Sequence, residues 1–139
     1  MSIKFDPEQH IRNVSGEPDV ALVNSFEEII PGIRGVPGAA ETIALGTIGI
    51  DRIMMEVGSE FELHTHPGAH ILYVLSSRGY IHVDGTDYAM TAGDTIFVPA
   101  DYAHGVKTDR AAKAPLEILA FGVPHMPLDS AHRMELVER

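Results

Sequence analysis

The sequence predicts an all-β domain, a small barrel or sandwich over residues 42–123, and three observations carry that prediction. From Thr42 onward the chain breaks into short runs rich in β-branched, aromatic and aliphatic residues: TIALGTIGI, DRIMMEV, FELHTH, HILYVLS, GYIHV, TDYAM, DTIFV, HGVKT and LEILAFGV. The breaks carry turn chemistry: Asp84-Gly85 separates GYIHV from TDYAM as a hairpin signal, and Ala92-Gly93-Asp94 separates TDYAM from TIFV. At 139 residues and 45% hydrophobic content, the chain has enough apolar material for one core and not for two.

The elements on either side read differently. Residues 1–41 form an N-terminal arm and loop. Residues 1–19 are polar and interrupted by Pro7 and Pro18, and Asp19 to Asn24 (DVALVN) is a short strand. In SFEEIIPG, Ser25 offers an N-cap with Glu28 as capping-box partner, and Pro31 limits the helix to one turn. GIRGVPGAAE is then a Gly/Pro-rich loop. The 124–139 tail offers a short C-terminal helix, with Asp129 or Ser130 as N-cap and Met134 and Val137 at helical spacing.

Composition narrows the function classes. With no Cys, neither a disulfide framework nor a thiolate metal site is possible, so a metal must be held by His, carboxylate or water. The formal charge of −10 and the lack of a Lys/Arg cluster argue against nucleic acid and anionic membrane as partners. No apolar run reaches the roughly 18 residues of a membrane span, and MSIKFDPEQHIRN lacks a leader pattern, so a cytoplasmic protein with a small-molecule partner is expected.

The chemistry concentrates in GSEFELHTHPGAHILYVLSSRG, residues 58–79. In an extended 62–66 segment, His64 and His66 share a face with Thr65 between them. Pro67, Gly68 and Ala69 force a turn or bulge, after which His70 opens the next strand and returns a third imidazole to the same point. GDTIFVPADYAHGVKT adds His104 at the start of another strand. The other four histidines, His10, His82, His125 and His132, read as surface or ordinarily hydrogen-bonded residues.

These two segments resemble the paired motifs of the cupin superfamily. The first motif, G-x5-H-x-H-x3,4-E-x6-G, is matched by Gly58, His64 and His66, with His70 in place of the Glu and Ser77 in place of the last Gly. The second, G-x5-P-x-G-x2-H-x3-N, is matched by Gly93, Pro99 and His104, with Asp101 replacing the Gly and Thr108 the Asn. The resemblance implies a single double-stranded β-helix or jelly-roll barrel, commonly dimeric. It also implies one divalent transition metal per chain, Fe, Mn, Ni, Cu or Zn, held by His64, His66, His70 and His104.

Strand parity from His70 places Leu72 and Val74 on the ligand face, and parity from His104 places Val106 there. Met54 or its neighbour Met55, Phe97, Ile118 and Phe121 are further candidates for the pocket wall. Tyr73, His82 and Tyr102 are weak candidates for proton transfer, Tyr73 falling on the opposite strand face. Family frequency favours a dioxygenase-like oxidoreductase acting on a small enolic or aromatic substrate. The all-imidazole set favours a non-redox, Zn-type polyketide cyclase or isomerase, and a metal- or ligand-binding sensor module is the third reading. A homodimer is expected from the resemblance, with the 1–24 arm available to extend the partner's sheet.

Overall fold

The computed structural model describes residues 4–15, 18–44 and 46–137 and places nearly all of the ordered chain in two antiparallel sheets. The six-stranded sheet has the order β1 (Val20–Val23), β2 (Ile29–Ile43), β3 (Gly46–Met55), β10 (Leu116–Val123), β5 (Ala69–Ser76), β8 (Thr95–Val98). The five-stranded sheet has the order β11 (Glu135–Leu136), β4 (Glu60–Thr65), β9 (His104–Thr108), β6 (Arg78–Val83), β7 (Thr86–Thr91). From β3 onward the chain repeatedly changes sheet, and this brings residues 64–70 and 104 to one end of the sandwich. Leu22, Ile33, Met55, Val74, Met90, Leu116 and Ile118 are fully buried between the layers. Among the described residues, no helix is long and apolar enough to cross a membrane.

Several local expectations are corrected. The 32–41 stretch is not a loop but the middle of the 15-residue strand β2. Its Gly/Pro composition serves a strand irregularity: the register with β3 shifts between Pro37 and Ala40, and a Cβ on Gly38 would lie 2.5 Å from the Ile50 carbonyl. Pro37 also lies past the last β1 pairing, Val20 with Gly35, where β2 has no neighbour on that side to bond. TIALGTIGI, read as one run, is split by a hairpin, with Gly46 at φ +115° opening β3. The strand then continues through Asp51 without a break, and the arm-to-barrel division at 41/42 falls within β2.

The expected helical turn after Ser25 is a tight turn organised by the preceding residue. Asn24 Oδ1 accepts from the backbone N–H of Phe26 at 2.9 Å and of Glu28 at 3.2 Å, and Glu27 takes φ +63°. Among the described residues of the tail there is no C-terminal helix either. Residues 127–133 form consecutive turns, Ser130 N to Pro127 O at 3.1 Å and Arg133 N to Ser130 O at 3.2 Å, before β11 pairs with β4. Burial of Leu128, Arg133 and Met134 against the barrel outweighs the weak helical spacing.

The N-terminal arm is used within its own chain. A single helical turn, α1 (Pro7–His10), is capped by the Asp6 carboxylate. It lies on β2 through Gln9 Nε2 to Ala40 O at 3.2 Å and His10 Nε2 to Glu41 Oε1 at 2.6 Å.

Candidate metal centre

The site is built where β4 and β9 pair. His64 and His104 are directly opposite each other in that ladder, and the register slips between Phe61 and His64. The slip is a β-bulge, three residue steps on β4 against two on β9, and it turns both Phe61 and His64 inward while Glu62 faces solvent. His66 follows just past the end of β4, where its carbonyl accepts from Asp101 N–H at 2.7 Å. Ring centroids are 4.4 Å apart for His64 and His104, 4.6 Å for His64 and His66, and 4.9 Å for His66 and His104. One nitrogen from each of these three buried rings lies within 4.8 Å of the other two.

The hydrogen bonds behind the rings set the tautomers. His64 Nδ1 faces the Glu62 carbonyl at 2.5 Å, His66 Nδ1 the Arg133 carbonyl at 2.9 Å and His104 Nδ1 the Tyr102 carbonyl at 2.8 Å. A carbonyl only accepts, so each Nδ1 carries the proton and each Nε2 presents a lone pair. His64 Nε2 and His66 Nε2 then face each other at 3.0 Å with no proton between them, an arrangement that a cation stabilises. The rings stay neutral. Burial, then the neighbouring His104, pushes His64 down to about 3; burial, then the Arg133 charge, pushes His70 down to about 3. Burial lowers His66 further and also lowers His104.

His70, on β5 opposite Gly122 and Val98, packs its ring 4.3 Å from that of His66. It stands outside the tight group of three. The Gly68 backbone lies beside the ring, yet Nδ1 is buried and completes no hydrogen bond among the described residues. A Cβ on Gly122 would come 3.1 Å from His70 Nε2, so the glycine makes room for this ring. Three converging lone pairs with an orphaned fourth imidazole beside them fit a divalent ion bound by nitrogen.

The non-consensus motif positions keep the required backbone. Ser77 and Asp101 replace motif glycines and adopt φ +68° and +59°, as Gly58 and Gly93 do at +94° and +95°. Thr108, in place of Asn, accepts from Gly58 N–H through Oγ1 at 2.7 Å and ties the two motif segments together.

Of the pocket residues expected from sequence, Leu72, Val106 and Ile118 line the cavity. Val74 is buried two residues further along β5 and does not reach it. Met54, Phe97 and Phe121 do not line it. Phe97 and Phe121 are 66% and 43% exposed, since Val98 and Ile96 pair with His70 and Leu72 and carry the inward parity of β8. Phe121 is an odd number of residues from Ile118, and Met54 pairs with Glu117 while its neighbour Ile53 pairs with Ile118.

The proton-transfer candidates lie elsewhere. Tyr73 is exposed on the outer face, Tyr102 Oη donates to Asp84 Oδ2 at 2.8 Å, and His82 Nδ1 pairs with Asp87 Oδ1 at 2.6 Å near the surface. Ile53, Phe61 and Arg133 complete the wall and were missed. Parity from Ile118 through the paired strand would have found Ile53. Phe61 was hidden by the bulge, and Arg133 by a tail that sequence alone does not dock.

The cavity among these side chains measures only about 30 Å³. A C-terminal strap, residues 127–136, runs beside it, with Arg133 lining this cavity and Ala131, His132, Met134, Glu135 and Leu136 lining a separate open groove of about 850 Å³.

Comparison with known proteins agrees with this architecture. Residues 51–121 match the family model described as a cupin domain. An uncharacterized protein of Methanocaldococcus jannaschii is 33% identical over 72 residues, a match covering 51% of this chain and 56% of that protein. Among solved structures, a cupin-2 domain protein from Rhodospirillum rubrum superposes with a TM-score of 0.69 at 16% identity, over 96% of this chain and 84% of that one. An RmlC-like cupin from Shewanella frigidimarina gives 0.63 at 20% identity, over 84% and 91%. The polyketide cyclase RemF from Streptomyces resistomycificus gives 0.64 at 15% identity, over 79% and 74%. With the family model matched across the paired motif segments and the same fold throughout these structures, the chain belongs to the cupin family.

Proposed function

We propose that the chain is a mononuclear metal enzyme that polarises an oxygen of a small enolic or aromatic substrate without redox change at the metal, as a cyclase or isomerase does. The observation that carries this reading is the donor set: neutral imidazoles, no carboxylate among the residues lining the cavity, and the positive charge of Arg133 beside them. His64, His66 and His104 would hold the ion through Nε2, with His70 as fourth ligand. A divalent ion bound by uncharged ligands keeps its full charge and acts as a Lewis acid on a carbonyl or enol oxygen.

The rest follows from the chain's own residues. Ile53, Phe61, Leu72, Val106 and Ile118 exclude water from the reacting atoms. No carboxylate or hydroxyl among the described lining residues stands ready to take a proton, which favours reactions whose proton moves within the substrate. The dioxygenase-like reading uses the same ligands. An oxygen electrode separates the two: metal-loaded protein should turn over a β-diketone or polyphenol with no oxygen uptake. Stoichiometric uptake would overturn the non-redox reading.

We also propose that two copies associate through the outer face of the six-stranded sheet. Phe97, Ile71 and Phe121 form one exposed row across β8, β5 and β10, and Tyr73 and Leu75 extend it along β5. Light scattering should give the mass of two chains for the native protein and of one for Phe97→Asp. A native monomer at micromolar concentration contradicts the proposal.

A further inference from the structure

Arg133 is the charged side chain lining the cavity that His64, His66, His70 and His104 share. It is 5% exposed, and its guanidinium lies 5.9 Å from the centroid of the Phe61 ring. No other described residue accepts a hydrogen bond from that guanidinium or forms an ion pair with it. The acid that acts on it through space, Asp51, is committed elsewhere: Oδ2 meets His125 Nε2 at 2.8 Å, and Oδ1 is buried without a partner.

Buried charges are ordinarily paired. This one has no ion-pair partner among the described residues, and it faces a site whose other polar groups are lone pairs suited to a cation. With a divalent ion in place, the cavity would hold positive charge from two sources, with no carboxylate among the described residues lining it.

We propose that Arg133 is an anion-binding residue of the site, and that the substrate is a small organic carboxylate whose charged end enters between the guanidinium and the imidazoles. This rests on the metal reading above and names its substrate class. The planar guanidinium fork matches a carboxylate in two parallel hydrogen bonds, which an ammonium cannot reproduce. The 30 Å³ cavity admits an oxygen and not the body of a substrate, so the carboxylate end alone reaches the guanidinium and the rest of the molecule stays outside the imidazole cluster.

The backbone makes the test clean. His66 Nδ1 is held by the Arg133 carbonyl and not by its side chain, so replacing the side chain leaves the ligand's hydrogen bond in place. Acetate and its neutral counterpart acetamide are titrated into Zn-loaded native protein, Arg133→Gln and Arg133→Lys. Acetate affinity should fall about tenfold or more in Arg133→Gln, with acetamide unchanged. Zn affinity in acetate-free buffer should rise several-fold, because a like charge beside the ion is removed.

A folded Arg133→Gln that binds acetate within about twofold of the native protein overturns the proposal. Should the glutamine variant fail to fold, Arg133→Lys decides. It keeps the charge and loses the fork, so acetate affinity falls a few-fold, and unchanged affinity overturns the proposal. Metal-free protein separates this claim from the metal reading. Acetate should raise the melting temperature of the metal-free native protein and not of the Arg133 variant. If that holds while Zn does not bind, the metal reading fails and the anion site stands; if Zn binds and acetate has no such effect, the reverse is true.

Discussion

Metal-free protein is expected to lose stability steeply as the pH falls below about 6.5, the value at which the unfolded chain takes up protons on its histidines. In the folded state, burial holds His64 and His70 neutral down to about 3, with His66 and His104 also lowered. Between those values the unfolded state binds more protons, so unfolding is favoured as protons are added. Each imidazole that stays neutral contributes a slope of about 1.4 kcal/mol per pH unit, so His64, His66 and His70 together contribute about 4, and the lowered His104 adds to it in the same direction. Against a domain stability of about 5–15 kcal/mol, that slope unfolds the metal-free protein within roughly two pH units. Denaturant melts from pH 7.5 to 4.5 measure it. A flat profile would mean that the folded site accepts protons and is open to water.

His104→Ala is expected to weaken Zn binding by about two orders of magnitude or more, a ligand's share of the binding energy of a multi-histidine site. His104 is chosen because it stands opposite His64 in the β4–β9 ladder and its Nε2 is free to ligate. His82→Ala is the matched control. That ring meets Asp87 near the surface, and its loss should leave Zn affinity unchanged. Competition against a chromophoric chelator measures both. Equal affinity of the His104 variant and the native protein would remove His104 from the site.

The residues that carry chemistry were legible in the sequence because parity within one strand is a local property. His64 and His66 needed only alternation to share a face and His70 only the turn at 67–69 to come back toward it, whereas His104 joined them through the resemblance to the paired cupin motifs; the replacement of motif glycines by Asp101 and Ser77 was harmless because both residues take positive φ here. What was not legible depends on partners far along the chain. Phe61 turns inward only because of a bulge defined by β9, and Phe97 and Phe121 were assigned without the register that fixes their parity. Residues 32–41 carry loop composition yet pair along β3, and the tail has helical spacing yet lays Leu128 and Met134 into the core. Arg133 gave no local signal at all. Its place follows from where the strap docks, and that docking supplies both a carbonyl for His66 and a charge for the cavity.

The central claim is that imidazoles without a carboxylate hold one divalent ion in this barrel. X-ray absorption of protein loaded with Zn at one equivalent tests it most directly. The prediction is one tightly held ion per chain with nitrogen neighbours at about 2.0–2.1 Å and the outer-shell scattering of three or four imidazoles. An ion that dialyses away, or a first shell dominated by oxygen without imidazole scattering, would contradict it.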